Sequence, residues 1–152
     1  MRELAGGVCA VSVGEGEDRG GLIATSVTSL SVDPPTLLVC VNRTASAWPL
    51  FQRHGRFGVN VLASRHVQMA QHFSGGTGAR GAERYAVGDW GQDVTGAPIL
   101  ADALVAVACE VEEVLERHSH GIVIGRVRLV TPIRHGDALV YLRGGYAAHA
   151  SA

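Results

Sequence analysis

GLIATSVTSLSVDPPTLLVCVNRTAS, running from Gly21 to Ser46, decides how this chain is read. Leu22 to Ser31 is rich in β-branched residues and hydroxyls, which suits a pleated strand. Asp33-Pro34-Pro35 stops it, because proline restricts the residue before it and has no N–H for a ladder bond. Thr36 to Val41 (TLLVCV) is then almost continuously apolar, the pattern of a strand buried on both faces. Thr25, Ser26, Thr28, Ser29 and Ser31 put five hydroxyls into seven residues. Alternation along a single strand places Thr25, Val27, Ser29 and Ser31 on one face and Ser26, Thr28 and Leu30 on the other. A strand serving only a core has no use for hydroxyls on both sides. Together with backbone amides they suit a flat, polar, uncharged ligand. An edge strand with its Ser and Thr in water is the plainer alternative, open at this point.

On the C-terminal side, Asn42-Arg43-Thr44-Ala45-Ser46 ends the buried strand and opens a helix. Thr44 or Ser46 is expected to cap it, and it runs to about Arg53 with Trp48 and Phe51 on its buried face. An arginine and hydroxyls at a helix start suit a phosphate, although plain N-capping uses the same residues. On the N-terminal side, Val8 to Val13 is a short strand. GEGEDRGG (Gly14 to Gly21) is a turn rather than a dinucleotide fingerprint. GxGxxG counted from Gly14 needs glycine where Arg19 stands, and a strand follows instead of a helix. A hairpin fits better.

Farther along, Phe57 to Leu62 alternates as a strand. Ser64 is expected to cap a helix from about Arg65 to Phe73, with Met69 and Phe73 on one face. Ser74 to Ala97 is irregular, and a loop of that length often carries function. Strand-like stretches follow at Leu104 to Leu115, Gly121 to Pro132 and Ala138 to Tyr146. In the first, Val105, Val107, Cys109 and Val111 share a face opposite Glu110 and Glu112. Strands do not alternate regularly with helices, which excludes a doubly wound α/β sheet. The expectation is a mainly β protein of one domain, residues 1–152, built as a closed or nearly closed antiparallel barrel with two or three short flanking helices.

Composition narrows the chemistry. The 152 residues are 47% hydrophobic and 18% charged, enough to build a core. Basic and acidic residues number 13 and 14, and aromatics are 5%, which argues against nucleic acid as a partner. Every basic residue is arginine, so a Schiff-base or Walker A lysine is excluded. Cys9, Cys40 and Cys109 form neither a disulfide framework nor a zinc pattern, and read as buried thiols in a reducing compartment. MRELAGGVCAVSV is too short and broken for a secretory signal, and no apolar run approaches the ~18 residues of a membrane span. A soluble cytoplasmic protein is expected. His118-Ser119-His120 offers two imidazoles but no third ligand, so no metal is expected; a turn histidine or a barrel-rim contact to a cofactor remains. GxSxG, HExxH and GxxxxGK[ST] are absent, which leaves hydrolase and kinase readings without support.

In order, the pieces GGVCAVSV, GLIATSVTSLSVDPPTLLVCVNRTAS, FGVNVL, MAQHF, ERYAV, HSHGIVIGRV and ALVYLRGGY resemble the short-chain flavin reductase family over about Gly6 to Tyr146. The resemblance implies the FMN-binding split barrel, with Greek-key antiparallel strands. It also implies an NAD(P)H:flavin oxidoreductase that reduces FMN or FAD with NADH or NADPH, often for a separate monooxygenase, and a homodimer with flavin near the subunit interface. Carried over by position, Thr25, Ser26, Val27, Thr28 and Ser29 line the isoalloxazine and ribityl chain. Val41, Asn42, Arg43 and Ser46 hold the chain and phosphate, Arg84 of ERYAV approaches the phosphate, and His120 meets the nicotinamide nucleotide. No side chain need act as a nucleophile. Two departures stand out. The family's Gly-Asp-His reads His118-Ser119-His120 here. The family's helix before GGVCAV is expected to be mostly absent, which alters a dimer contact or an edge of the flavin pocket. The changed motif motivates an alternative, a flavin-dependent oxygenase or oxidase acting on an organic substrate. A non-catalytic flavin or haem carrier on the same barrel is a third reading.

Overall fold

The computed structural model describes residues 2–150. Its strands are β1 (Gly6–Gly7), β2 (Cys9–Glu15), β3 (Asp18–Ala24), β4 (Thr28–Val32), β5 (Pro35–Asn42), β6 (Arg56–Val61), β7 (Trp90–Gln92), β8 (Pro98–Leu100), β9 (Val105–Arg117), β10 (His120–Val130), β11 (Ala138–Leu142) and β12 (Gly145–His149). Two short helices are α1 (Trp48–His54) and α2 (Val67–Phe73), and 3-10 turns cover Ser64–His66 and Gly81–Ala86. The main sheet has the order β3-β2-β6-β9-β10-β5-β4, with every pair antiparallel. A second sheet, β1-β11-β12, and the β7-β8 pair lie beside it.

The two ends of the main sheet, β3 and β4, are consecutive in the chain. The barrel therefore closes along the chain itself and not through a ladder. β3 stays paired with β2 as far as Cys9↔Ala24, and β4 pairs with β5 through Thr28↔Leu38 and Ser29↔Leu37. This corrects the expectation of one strand over Leu22 to Ser31: the path breaks at Thr25–Val27, where it leaves one partner and joins another. Alternation cannot be counted through that break. Ser26 bridges it, since its hydroxyl donates to the Cys40 carbonyl at 3.0 Å and accepts from the Cys40 N–H at 3.2 Å. The side chain stands in for a missing ladder rung.

Alternate residues of β2, β3, β5, β6, β9 and β10 form one buried cluster, which is the barrel interior. Leu50 and Phe51 of α1 join it, Phe51 packing edge-on to Phe57 at 5.5 Å. On the inner face of β10, a Cβ on Gly121 would lie 2.0 Å from the Trp48 ring, and one on Gly125 would lie 2.5 Å from that of Phe57. These glycines leave room for aromatic rings in an otherwise filled interior. The outer faces of β2, β6 and β9 carry a second core, covered by Met69, Ala70 and Phe73 of α2 with Tyr85, Leu100 and Leu139. That is why β2 is buried along nearly its whole length.

Other expectations change in detail. The stretch Ala138 to Tyr146 is a hairpin, because Arg143 (φ 54°) and Gly144 (φ 88°) make a two-residue turn between β11 and β12. No hydroxyl caps either helix. Ala47 precedes α1, whose first turn contains Pro49, and Thr44 bonds the Asn42 side chain instead. Ser64 begins a 3-10 turn in which His66 Nδ1 accepts the Ala63 N–H at 3.0 Å. The irregular Ser74 to Ala97 stretch contains the Gly81–Ala86 turn and β7. In β9, Val107, Cys109 and Val111 face inward as expected; a bulge opposite Ile124 and Gly125 then shifts the alternation, so that Val114 also joins the interior. Gly14 to Gly21 is the expected hairpin, with Glu15 opposite Asp18.

Candidate functional site

Strand order brings the predicted residues together from distant parts of the chain. β4, β5 and β10 are neighbours, so Thr25–Ser29, Val41–Ser46 and His120 lie on adjacent paths. In the β5–β10 register Asn42 stands opposite His120, and Val41 opposite Gly121. The break at Thr25–Val27 gives this region its chemistry. Among the described residues, no backbone hydrogen bond involves Thr25, Ser26 or Val27. Half-exposed groups of this kind are open to water or to the polar edge of a bound molecule. Hydroxyls and free amides on a flat, exposed ribbon suit the edge of a planar ring with several carbonyl and imino groups. The residues present fit a flavin ring.

Each predicted side chain has a definite place. Thr25, Thr28 and Ser29 are exposed, whereas Ser26 and Val27 are half-buried. The Ser26 hydroxyl is held by Cys40, so it positions the ribbon. Val41 is fully buried in the barrel interior and contributes shape rather than a polar contact. Asn42 Oδ1 accepts from the Thr44 N–H at 3.0 Å and its hydroxyl at 2.9 Å, which folds the chain from β5 toward α1. Arg43 reaches back to the β9–β10 hairpin. Its N–H donates to the Ser119 carbonyl at 3.0 Å, its Nη1 to the His118 carbonyl at 3.1 Å, and its Nη2 pairs with Glu116 at 2.8 Å. Ser119 and His120 Nδ1 are hydrogen-bonded at 2.9 Å. Ser46 is exposed beside the buried Ala47.

Arg84 arrives from the other side. Its Nη1 donates to the carbonyls of Gly21 and Phe73, and Tyr85 donates its hydroxyl to the Gly20 carbonyl at 2.6 Å. Together they fasten the Gly81–Ala86 turn to β3. Burial lowers the Arg84 pKa and raises that of Tyr85. Arg84 Nε is buried and has no partner among the described residues. Ala47 packs over Gly20, so the α1 start and Arg84 approach β3 at adjacent residues.

Sequence reasoning missed Glu116, an exposed strand glutamate with nothing to mark it as the Arg43 partner. It also missed that His118, standing where the family motif begins with glycine, has φ 52°. That position needs a left-handed backbone, which explains glycine in the motif. No group of three or more His, Cys, Asp or Glu among the described residues is placed to hold a metal. Burial pushes the Cys9 and Cys109 thiols up to about 12, so neither is a nucleophile at neutral pH. Among the described residues, no helix is long and apolar enough to cross a membrane.

Comparison with known proteins agrees with this geometry. The model of the flavin reductase like domain matches residues 1–150. FMN reductase (NADH) RutF 2 of Methylorubrum extorquens is 43% identical over 141 residues, covering 93% of this chain and 81% of that one. The 4-hydroxyphenylacetate 3-monooxygenase reductase component of Pseudomonas aeruginosa is 33% identical, covering 93% and 83%. Among solved structures, BorF, the flavin reductase component of a bacterial two-component tryptophan halogenase, superposes with a TM-score of 0.90 at 31% identity, covering 99% and 94%. The NADH:FAD oxidoreductase SgcE6 of Streptomyces globisporus, solved with NAD and FAD fragments, gives 0.85 at 27% identity, covering 95% and 86%. A split barrel whose break exposes backbone amides beside hydroxyls is the fold of a flavin-handling protein. The chain belongs to the flavin reductase-like domain family.

Proposed function

We propose that this protein is an NAD(P)H:flavin oxidoreductase that reduces FMN or FAD and passes the reduced flavin to a partner monooxygenase. The observation that carries this reading is the Thr25–Val27 break, with its free backbone amides flanked by hydroxyls. The names of the relatives favour FMN and NADH over FAD and NADPH, and two of them are reductase components of two-component systems. Residues 1–152 act as one domain, working as a homodimer in the reducing cytoplasm; the three free cysteines accord with that compartment.

With both nucleotides bound, the nicotinamide would supply a hydride to the flavin, and solvent would supply the accompanying proton. The chain's task is to orient the two rings. The Thr25–Ser29 ribbon would hold the flavin edge, its open N–H groups being available to carbonyls on which negative charge develops. Val41, Asn42, Arg43 and Ser46 hold the ribityl chain and phosphate, with Arg84 beside the phosphate through its unspent nitrogens. His120, opposite Asn42 at the rim, contacts the nicotinamide nucleotide. The test is direct. Purified protein, flavin and NADH or NADPH are mixed, and absorbance at the nicotinamide band is followed. Rapid oxidation that depends on added flavin supports the reading; no flavin-dependent oxidation of either coenzyme removes it.

A further inference from the structure

Between β9 and β10 the chain turns at His118 with φ 52°, a left-handed conformation that costs an ordinary L-residue. A strained residue of this kind persists where its surroundings over-determine it. The fixing contacts here come from Arg43, distant in sequence. Its N–H donates to the Ser119 carbonyl at 3.0 Å and its Nη1 to the His118 carbonyl at 3.1 Å. Two successive carbonyls of the turn are therefore held by one residue.

Glu116 aims that residue. Its carboxylate meets Arg43 Nη2 at 2.8 Å. Its own backbone is fixed in the β9–β10 ladder opposite Gly121, and its carbonyl accepts from Arg117 Nη1 at 2.8 Å. With side chains 41% and 50% exposed, the ion pair gains little from attraction alone. What it supplies is direction. A free arginine samples many rotamers, and a carboxylate at a fixed strand position selects those that reach the His118 carbonyl.

The turn leads directly to a predicted site residue. Ser119 is the link, because its carbonyl is held by Arg43 and its hydroxyl is hydrogen-bonded to His120 Nδ1 at 2.9 Å. His120 then enters β10 opposite Asn42.

We propose that Glu116 is a positioning residue for the nicotinamide nucleotide. It orients Arg43, Arg43 holds the strained His118 turn, and the turn sets the His120 imidazole at the rim. The coenzyme's place at His120 rests on the flavin reductase reading; the clamp on the turn does not.

Glu116→Thr tests this, since threonine suits a strand and is too short to reach Arg43. KM for NADH is expected to rise about two- to fivefold, with kcat and the riboflavin dissociation constant unchanged. Hydrogen exchange at the Arg43 N–H, the donor to Ser119, is expected to quicken by a similar factor with no coenzyme added. Adding His118→Gly relieves the strain that the clamp opposes, so the double variant is expected to recover the parent KM and exchange rate. An unchanged KM for Glu116→Thr overturns the proposal. So does a loss shared equally by KM, kcat and riboflavin affinity, which is the mark of a merely structural pair. Failure of His118→Gly to restore KM overturns the strained turn as the route. If the parent oxidises no NADH, the flavin reductase reading falls and takes the coenzyme role with it. The exchange rates then still decide the clamp: faster in Glu116→Thr supports it, and equal in parent and variant removes it.

Discussion

On the neighbouring strands β2 and β6, Ser12 and Asn60 are completely buried. Asn60 donates to the Ala10 carbonyl at 3.0 Å and the Ser12 hydroxyl at 3.1 Å, and accepts from the Leu100 N–H at 2.8 Å. Ser12 in turn donates to the Pro98 carbonyl at 2.6 Å. The Pro98 carbonyl and the Leu100 N–H each find a side chain, and β8 is fastened to the sheet. At the break between β3 and β4, Ser26 satisfies Cys40 in the same manner, yet the amides of Thr25–Val27 stay open. Similar hydroxyl chemistry therefore completes the fold in one region and stops short of completing it in the other. The incomplete region is where a ligand has something to gain.

The sharpest way to break this contrast is Asn60→Leu. It strands the Leu100 N–H in a dry core and removes the amide donor to the Ala10 carbonyl and the Ser12 hydroxyl. The expected loss is about 3 kcal/mol in urea unfolding, with flavin affinity of the folded fraction unchanged. A loss below about 1 kcal/mol would mean that the network is dispensable.

Arg84→Gln sharpens the boundary between structure and site. Removing the guanidinium from the β3 edge costs about 1–2 kcal/mol of stability. FMN affinity is expected to fall about five- to tenfold while riboflavin, which lacks the phosphate, falls less. Equal losses for both would reduce Arg84 to a fastening of the Gly81–Ala86 turn.

Ser26→Ala leaves both Cys40 backbone groups without their hydroxyl partner. About 1 kcal/mol of stability is lost. FMN and riboflavin dissociation constants rise together by a few fold, because the ribbon faces the ring and not the phosphate. A selective effect on FMN would misplace the ribbon.

The smallest effect is expected from His118→Gly. Relief at φ 52° outweighs the added freedom of the unfolded chain, giving a gain of about 0.5 kcal/mol in thermal or urea unfolding. The Arg43 bond to the residue 118 carbonyl survives, and His120 is untouched, so KM for NADH is expected to hold. A rise in that KM would give the His118 imidazole a role of its own.

Much of the barrel was legible in the residues. The apolar run TLLVCV, the Asp33-Pro34-Pro35 stop and the alternation in β9 report local preferences that the fold keeps. Gly144-Gly145 was an available turn signal inside ALVYLRGGY, and the unbroken apolar pattern before it hid the hairpin. The start of α1 differs from the expectation because the Thr44 hydroxyl bonds the Asn42 side chain at 2.9 Å and not a helix N–H.

By itself the sequence determined the materials: a mainly β chain, hydroxyls crowded at Thr25 to Ser31, arginine as its only basic residue, and apolar strands able to close a core. Those are properties of local composition and period, which no partner has to supply. Tertiary structure alone decided that the hydroxyl-rich strand changes partner at Thr25–Val27, that Asn42 stands opposite His120 across a ladder, and that Arg84 bonds the Gly21 carbonyl of β3. Backbone groups are freed or satisfied by whichever strand lies alongside, and that neighbour is chosen by closure of the whole barrel.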